Sequence, residues 1–507
     1  MIKQIYMLLA ITILIFVGCS SDKKESTVKM KKINYLIPEG VDFSRSKGSD
    51  TYLMSLKDTR DVAGFLQEMN LNKESTKDAS RLKSAKILQK SMDSVYNELQ
   101  HDSTIIRDVS LLSSQSLQSP YAYTIAHYQL RTYSDIQPTE LVGKLVGIIT
   151  KKNLENEPKA NKEIESARNF RLVVINGDLN GTNYYLVSVV PEKIYNTHEG
   201  KISKIMNGAR VSQKSIKLHA KLEKFVVKSS NKKVDFLFVV DDSGSMSDNQ
   251  NALSHAAADF TKEMSTSGLS YRSSIITTSS GIQGLDGDAN RILKDGGIIE
   301  NDDTLLQNKL VAGTHGSNTE TGIWNAEQAL QSKTLGDSSN GVVTELGMPK
   351  KDTSMSVIII SDERSQYTSR SSGKKFNPSD NLFTNRNIKV YSIIDTGDNK
   401  RSQYDELSMA TSAMYADINN KDLDGTLNFT IIMKQIAQDA GGISSLVTLA
   451  YASADIDKVE VNGKAIPYNT VKGYTYIQAS KSIVFHGIEF PENSDNIMIN
   501  VKYRYYK

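Results

Sequence analysis

Residues 234–246 read VDFLFVVDDSGSM. Apart from Asp235, positions 234–240 are apolar, and they run into two aspartates, then Ser243, Gly244 and Ser245. A short apolar run bounded by turn residues reads as a strand buried on both faces. It ends on carboxylates and hydroxyls, with no histidine, cysteine or lysine among them. Such a set offers hard oxygen donors and no nucleophile–base pair.

The pattern on either side decides the fold class. A helix is expected over 248–265, with Leu253, Ala256, Phe260 and Met264 on one face, and Ser247 and Gln250 are spaced like a capping box. A strand follows at 271–278, then a loop-like span at 279–308 rich in Gly and Asp, and a helix at 321–332. Strands at 354–361 (SMSVIIIS), 388–395 (IKVYSIID) and 414–418 precede a helix at 423–439. Strands alternating with helices imply an α/β unit: a mostly parallel, Rossmann-like sheet with helices on both faces. In such sheets ligands bind beyond the carboxyl ends of the strands. Asp241, Ser243 and Ser245 stand at one such end and Asp362 at another. The loop 316–322, GSNTETG, leads into the helix between them. If those strands are neighbours, two carboxylates and several hydroxyls converge, a set suited to Mg²⁺ or Mn²⁺ and poor for zinc or copper.

Taken together, DxSxS after an apolar strand, a hydroxyl in a Gly-Ser/Thr loop and an aspartate ending a later strand resemble a von Willebrand factor type A domain. The resemblance covers about 232–440. It implies a metal-ion-dependent adhesion site whose ligands are Asp241, Ser243, Ser245, Asp362 and a loop hydroxyl, Ser317 with Thr319 as the alternative. The implied cofactor is Mg²⁺, with Mn²⁺ or Ca²⁺ as substitutes, and the implied partner is a protein that gives a carboxylate to the metal. This sequence departs from the family pattern in two places: serine replaces threonine in the loop, and Glu363 follows Asp362 where glycine is common. Asp242 and Glu363 are expected to be solvated neighbours rather than ligands.

The remaining chain divides into two regions. Residues 32–228 read as a mixed α+β region resembling no family. A helix over 78–100 carries the stripe Leu82, Ala85, Leu88, Met92, Val95 and Leu99. A strand is expected at 121–133, and strands at 170–175 and 184–190 flank the hairpin signal 176–181, NGDLNG. Residues 446–507 read as a small β module with a type I′ turn at Asn462-Gly463 and strands at 474–479, 481–485 and 497–503.

At 507 residues two to four domains are expected, and a net charge of +3 gives no footprint for nucleic acid. The N-terminus has Lys3 and then an apolar run, 5–17, of signal-peptide length. It ends on Phe16-Val17-Gly18-Cys19, which resembles the lipobox of bacterial lipoproteins, although Phe16 replaces the usual leucine. Cys19 is the only cysteine. Residues 1–19 are therefore read as a lipoprotein signal with Cys19 lipidated, and 20–31 as a tether, which implies a lipid-anchored protein of the bacterial envelope. The histidines are scattered, and 286–297 lacks the glycine and final acid of an EF-hand. The chain has no GxSxG, HExxH or GxxxxGK[ST]. The expected function is binding without catalysis. A metal-dependent envelope hydrolase, and a spacer whose flanking regions bind the partner, are the alternatives.

Overall fold

The computed structural model describes residues 27–506. Excepted are 70–80, 159–163, 179–181, 212–217, 228–232, 280–296, 332–340, 398–402, 422–425, 444–446, 478–480, 489–496 and several shorter stretches, among them 317–318. The signal-peptide and Cys19 readings, residues 20–26 of the tether expected at 20–31, and 286–296 of the EF-hand-like span lie outside the described residues; the tether reading is corrected at Thr27–Lys29, a strand paired antiparallel with Ile33–Leu36.

The largest element is one sheet of 13 strands. They are, in chain order, β1 (Val41–Arg45), β2 (Thr51–Leu56), β3 (Ala63–Met69), β4 (Ile106–Leu117), β5 (Ala122–Ile136), β6 (Ala167–Asp178) and β7 (Asn183–Pro191). After these come β8 (Lys233–Val240), β9 (Ser270–Thr277), β10 (Ile299–Glu300), β11 (Ser354–Ser361), β12 (Lys389–Ile394) and β13 (Met414–Asp417). The spatial order is β10-β9-β8-β11-β12-β13-β4-β5-β6-β7-β3-β2-β1. From β9 to β13 the neighbours run parallel. From β13 through β4 to β1 they run antiparallel.

The architecture is thus mixed α/β, and the sheet as a whole is mostly antiparallel. The parallel run expected over 232–440 is present from β9 to β13; what is corrected is the expectation that it stands apart from the N-terminal region, whose strands β1 to β7 continue the same sheet. The join is short: Met414 pairs with Gln115 and Tyr415 with Ser114. Strand β13 would otherwise be an edge, and β4 occupies its free backbone groups.

Strand β8 is apolar throughout because it is lined on both faces. Val234, Phe236, Phe238 and Val240 pack with Phe260, Ile432 and Ile436, whereas Leu237 and Val239 pack with Ile323, Ala326 and Tyr404. The first face is covered by α3 (Ser247–Thr266) and α7 (Thr430–Ile443), the second by α5 (Gly322–Leu330). Asp235, the polar exception, is buried but satisfied. Arg272 donates to it through Nε at 2.9 Å and Nη2 at 2.6 Å, and Lys350 N–H and Thr353 Oγ1 add bonds of 2.7 and 2.9 Å.

In the antiparallel part α1 (Arg81–His101) lies across β4 and β5, and its stripe Leu88, Met92, Val95 and Leu99 is buried. Helix α2 (Pro138–Thr150), absent from the sequence reading, covers β3 and β7. A further helix, Tyr195–Met206, packs on the opposite face over β7. Two other expectations are corrected. The span 279–308 contains β10 and the first part of α4 (Asp303–Leu310), capped by the Asp302 side chain accepting from Leu305 N–H. Helix α7 starts at Thr430 rather than 423, where Asn428 Oδ1 accepts the Thr430 N–H at 2.9 Å.

The C-terminal strands form two small antiparallel sheets. The Asn462-Gly463 turn has φ of 48° and 81°, the left-handed pair a type I′ hairpin requires. Strand Leu218–Val227, read from sequence as part of the N-terminal region, pairs along its length with the last strand, Ile497–Tyr506.

Candidate functional site

The parallel pairing brings three strand ends to one rim. The Asp241 N–H donates to the Ile360 carbonyl at 2.9 Å and the Thr278 N–H to the Val240 carbonyl at 3.1 Å. Residues after β8, β9 and β11 are therefore neighbours. Asp241 is fully buried; its Oδ2 accepts from Ser361 Oγ at 2.6 Å and its Oδ1 from the Ser243 N–H at 2.8 Å. The Ser243 and Ser245 hydroxyls lie 3.2 Å apart, with Ser245 on the exposed side. Asp362 follows Ser361 directly and is close enough for its charge to act on Asp241. The structure thus brings together Asp241, Ser243, Ser245 and Asp362. Thr319 lies part-buried in the loop between Gly316 and Glu320, while Ser317 lies outside the described residues.

The loop is held against the strand ends. Gly316 N–H donates to the Asp242 carbonyl at 2.7 Å, and a Cβ at Gly316 would lie 2.4 Å from Asp242 Oδ1 and 2.5 Å from Ser279 Oγ. Only glycine permits that approach. Asp242 itself departs from the expected solvated neighbour: it is 8% exposed and accepts from Ser279 Oγ at 2.5 Å. Gln250, read as half of a capping box, does something else. Its Nε2 reaches the Asp241 carbonyl at 2.7 Å and the Gly313 carbonyl at 2.8 Å, and its Oε1 accepts the Gly313 N–H at 3.0 Å. Its amide staples the DxSxS turn to the loop. The capping box does not form because Ser247 already has helical backbone angles, continuing the 3₁₀ turn Gly244–Met246.

The site is crowded with acid. Burial lifts the Asp241 carboxyl to about 6, against hydrogen bonds from Ser361 and Ser243, and the Asp362 charge adds to the rise. Burial and then the Asp241 charge lift Glu320 to about 8. Glu320 is completely buried, and its Oε2 accepts from Thr278 Oγ1. It was not singled out from the sequence, where one glutamate in a Ser/Thr loop reads as solvated. Below it stands Tyr404, at the start of α6 (Tyr404–Ala410), whose hydroxyl titrates above its ordinary value through burial and the charges of Asp241 and Glu320. His315 is exposed, as expected, and Trp324 packs edge-to-face on Tyr367 at 5.5 Å.

Among the described residues no three His, Cys, Asp or Glu side chains gather closely enough to hold a metal by themselves. The donor set expected here has only two carboxylates, with hydroxyls completing it. All are oxygens, and the carboxylates repel one another in a buried setting. That chemistry fits a hard divalent cation and does not fit a thiophilic one.

No protein-family model and no curated protein matches the chain. Similar solved structures include cyanobacterial PsbP from Synechocystis, at 12% identity and a TM-score of 0.24, covering 37% of this chain and 92% of that one. The pilus adhesin SpaC from Lactobacillus rhamnosus GG is similar at 14% identity and a TM-score of 0.31, covering 57% of this chain and 43% of the adhesin. Proximal thread matrix protein 1 from the mussel byssus follows at 9% identity and a TM-score of 0.27, with 42% and 49% covered. Likeness this remote carries no functional argument.

Proposed function

We propose that this chain is a bacterial envelope lipoprotein, anchored through Cys19, that binds a protein ligand through a divalent cation. In this reading 232–440 is a von Willebrand factor type A domain. Asp241, Ser243, Ser245, Asp362 and a loop hydroxyl, Thr319 or Ser317, hold Mg²⁺, with Mn²⁺ or Ca²⁺ as substitutes. The observation that carries it is the meeting of Asp241 with the end of β11, where Ser361 Oγ donates to Asp241 Oδ2 at 2.6 Å beside Asp362. A bound cation supplies an outward coordination position for a partner's carboxylate. Asp241 and Asp362 supply the balancing charge, and the two serines supply neutral oxygens. Gln250 and Gly316 fix the loop so that these donors need little reorganisation. The assignment is to adhesion or envelope assembly, with no catalytic residue. Among the described residues no helix is long and apolar enough to cross a membrane, and in this reading attachment rests on the lipid.

Calorimetric titration of Mg²⁺ into the protein and into Asp241→Ala tests the reading. Heat of binding is expected in the first and none in the second, with both chains folded by circular dichroism. Equal heats defeat it. Pull-down from native envelopes with and without EDTA then asks whether partner capture follows the cation.

A further inference from the structure

We propose that Glu320 is a positioning residue for the cation: a buried outer carboxylate that holds the cation's water shell and supplies charge without touching the ion. This rests on the cation-binding reading above.

Several observations lead to it. Glu320 is 0% exposed, its Oε2 is engaged by Thr278 Oγ1, and its Oε1 has no hydrogen-bond partner. The strongest charges acting on it are those of Asp241, Asp242 and Asp362, so it faces the acidic rim. Its backbone is pinned from two sides. The Glu320 carbonyl accepts the Gln366 N–H at 2.7 Å, and Glu320 forms an antiparallel bridge with Ser279. The side chain therefore cannot swing away to solvent without breaking the loop. A buried carboxylate oxygen left unsatisfied among like charges is costly unless something positive completes it. Among the described residues Glu320 does not gather with two other acids into a group that could hold an ion, and its Oε2 is already taken by Thr278. The remaining route is through water: Mg²⁺ keeps several of its waters, and a carboxylate oxygen accepts from one. If the role were only to hold Thr278, a neutral amide with one acceptor oxygen would serve equally well.

That contrast sets the test, on the full chain with MgCl₂ as the probe. Glu320→Gln keeps shape and the bond from Thr278 but removes the charge. It is expected to weaken Mg²⁺ binding about 10- to 100-fold, the range for lost outer partners of metal ligands. In EDTA above about pH 8, where the wild-type Glu320 carboxyl has lost its proton, the same variant is expected to melt at a higher temperature than wild type, because a buried repulsion is gone. Thr278→Val removes the bond and keeps the charge, and is expected to melt lower in EDTA while binding Mg²⁺ about as tightly as wild type. The proposal is overturned if Glu320→Gln binds Mg²⁺ with wild-type affinity, melts lower in EDTA above that pH, or fails to fold. Asp241→Ala separates the two levels: if that variant still binds Mg²⁺ normally, the cation-binding reading itself falls, whatever Glu320 does.

Discussion

The two halves of the large sheet solve the same burial problem differently. In the parallel half, β8 sends apolar side chains into two cores at once, so its sequence is nearly continuous in Val, Phe and Leu. In the antiparallel half, β5 alternates. Ala126, Tyr128 and Leu130 are buried under α1 and α2, while Tyr123, Ile125 and His127 are half-buried on the other face. Strand β8, sealed on both faces, buries a single carboxylate between its ends, the fully paired Asp235, and the acid rim assembles beyond its last residue. A strand half open on one face can carry titratable groups along its length. Hydrogen bonds nonetheless run unbroken from one half to the other through Tyr415 and Ser114.

The strongest way to break this comparison is to damage one half and watch both. Phe238→Ala removes a fully buried ring packed edge-on against Phe260 at 5.8 Å. It should cost about 3–5 kcal/mol in denaturant unfolding. Trp324, the only tryptophan, lies in the parallel half, so its fluorescence reports that half and far-ultraviolet circular dichroism reports the whole. Coincident transitions are expected. Separate midpoints would show that the join at β13 and β4 does not couple the halves.

The second contrast is in pH. Asp241 and Glu320 are raised to about 6 and about 8, so without metal the folded chain binds more protons than the unfolded chain between about pH 4 and 8. Stability in EDTA should therefore fall as pH rises through that window. Mg²⁺ should stabilise more at pH 8 than at pH 5, since protons compete for the same carboxylates. Melting curves with EDTA and with Mg²⁺ across the range check both signs.

His127 should behave in the opposite sense. Although part of the residue is exposed, its Nδ1 is sealed from solvent; that burial, then the Arg171 charge, lowers the ring to about 3 from an ordinary value near 6.5. The unfolded chain binds the extra proton between those values, so this contribution is present above about pH 6.5 and is lost as pH falls toward 3. His127→Gln should flatten the acid side of the stability profile and leave the alkaline side unchanged. A profile identical to wild type on the acid side would refute the assignment.

The smallest expected effect is at a surface link between the halves. Lys86 on α1 pairs with Glu406 on α6 at 2.5 Å, both partly exposed. A double-mutant cycle with alanine at each should give a coupling below about 1 kcal/mol. A larger value would make this bridge, rather than the shared sheet, the main tie.

Some of the molecule was legible from residue order alone. Periodicity placed α1, β8, β11, β12 and the Asn462-Gly463 turn, because each is set by local spacing or by a backbone angle that few residues adopt. The motif Asp241–Ser245 and the aspartate at 362 were legible for the same reason: turn residues after apolar runs mark strand ends. The sequence did not reveal α2 or α4, and misplaced the start of α7, which begins at Thr430 with Asn428 Oδ1 accepting the Thr430 N–H.

Other properties belonged to the tertiary structure. Which strand stands beside β13 depends on a backbone edge, and edges carry no side-chain signature. The same holds for strand Leu218–Val227, whose partner lies at the far end of the chain. Gln250 and Glu320 look ordinary in sequence; their burial, and the charges around them, arise only when three strand ends separated by long stretches of chain are folded together. Local pattern determines where a strand stops. What its last residues meet is decided by packing, since burial and electrostatic coupling act through space rather than along the chain.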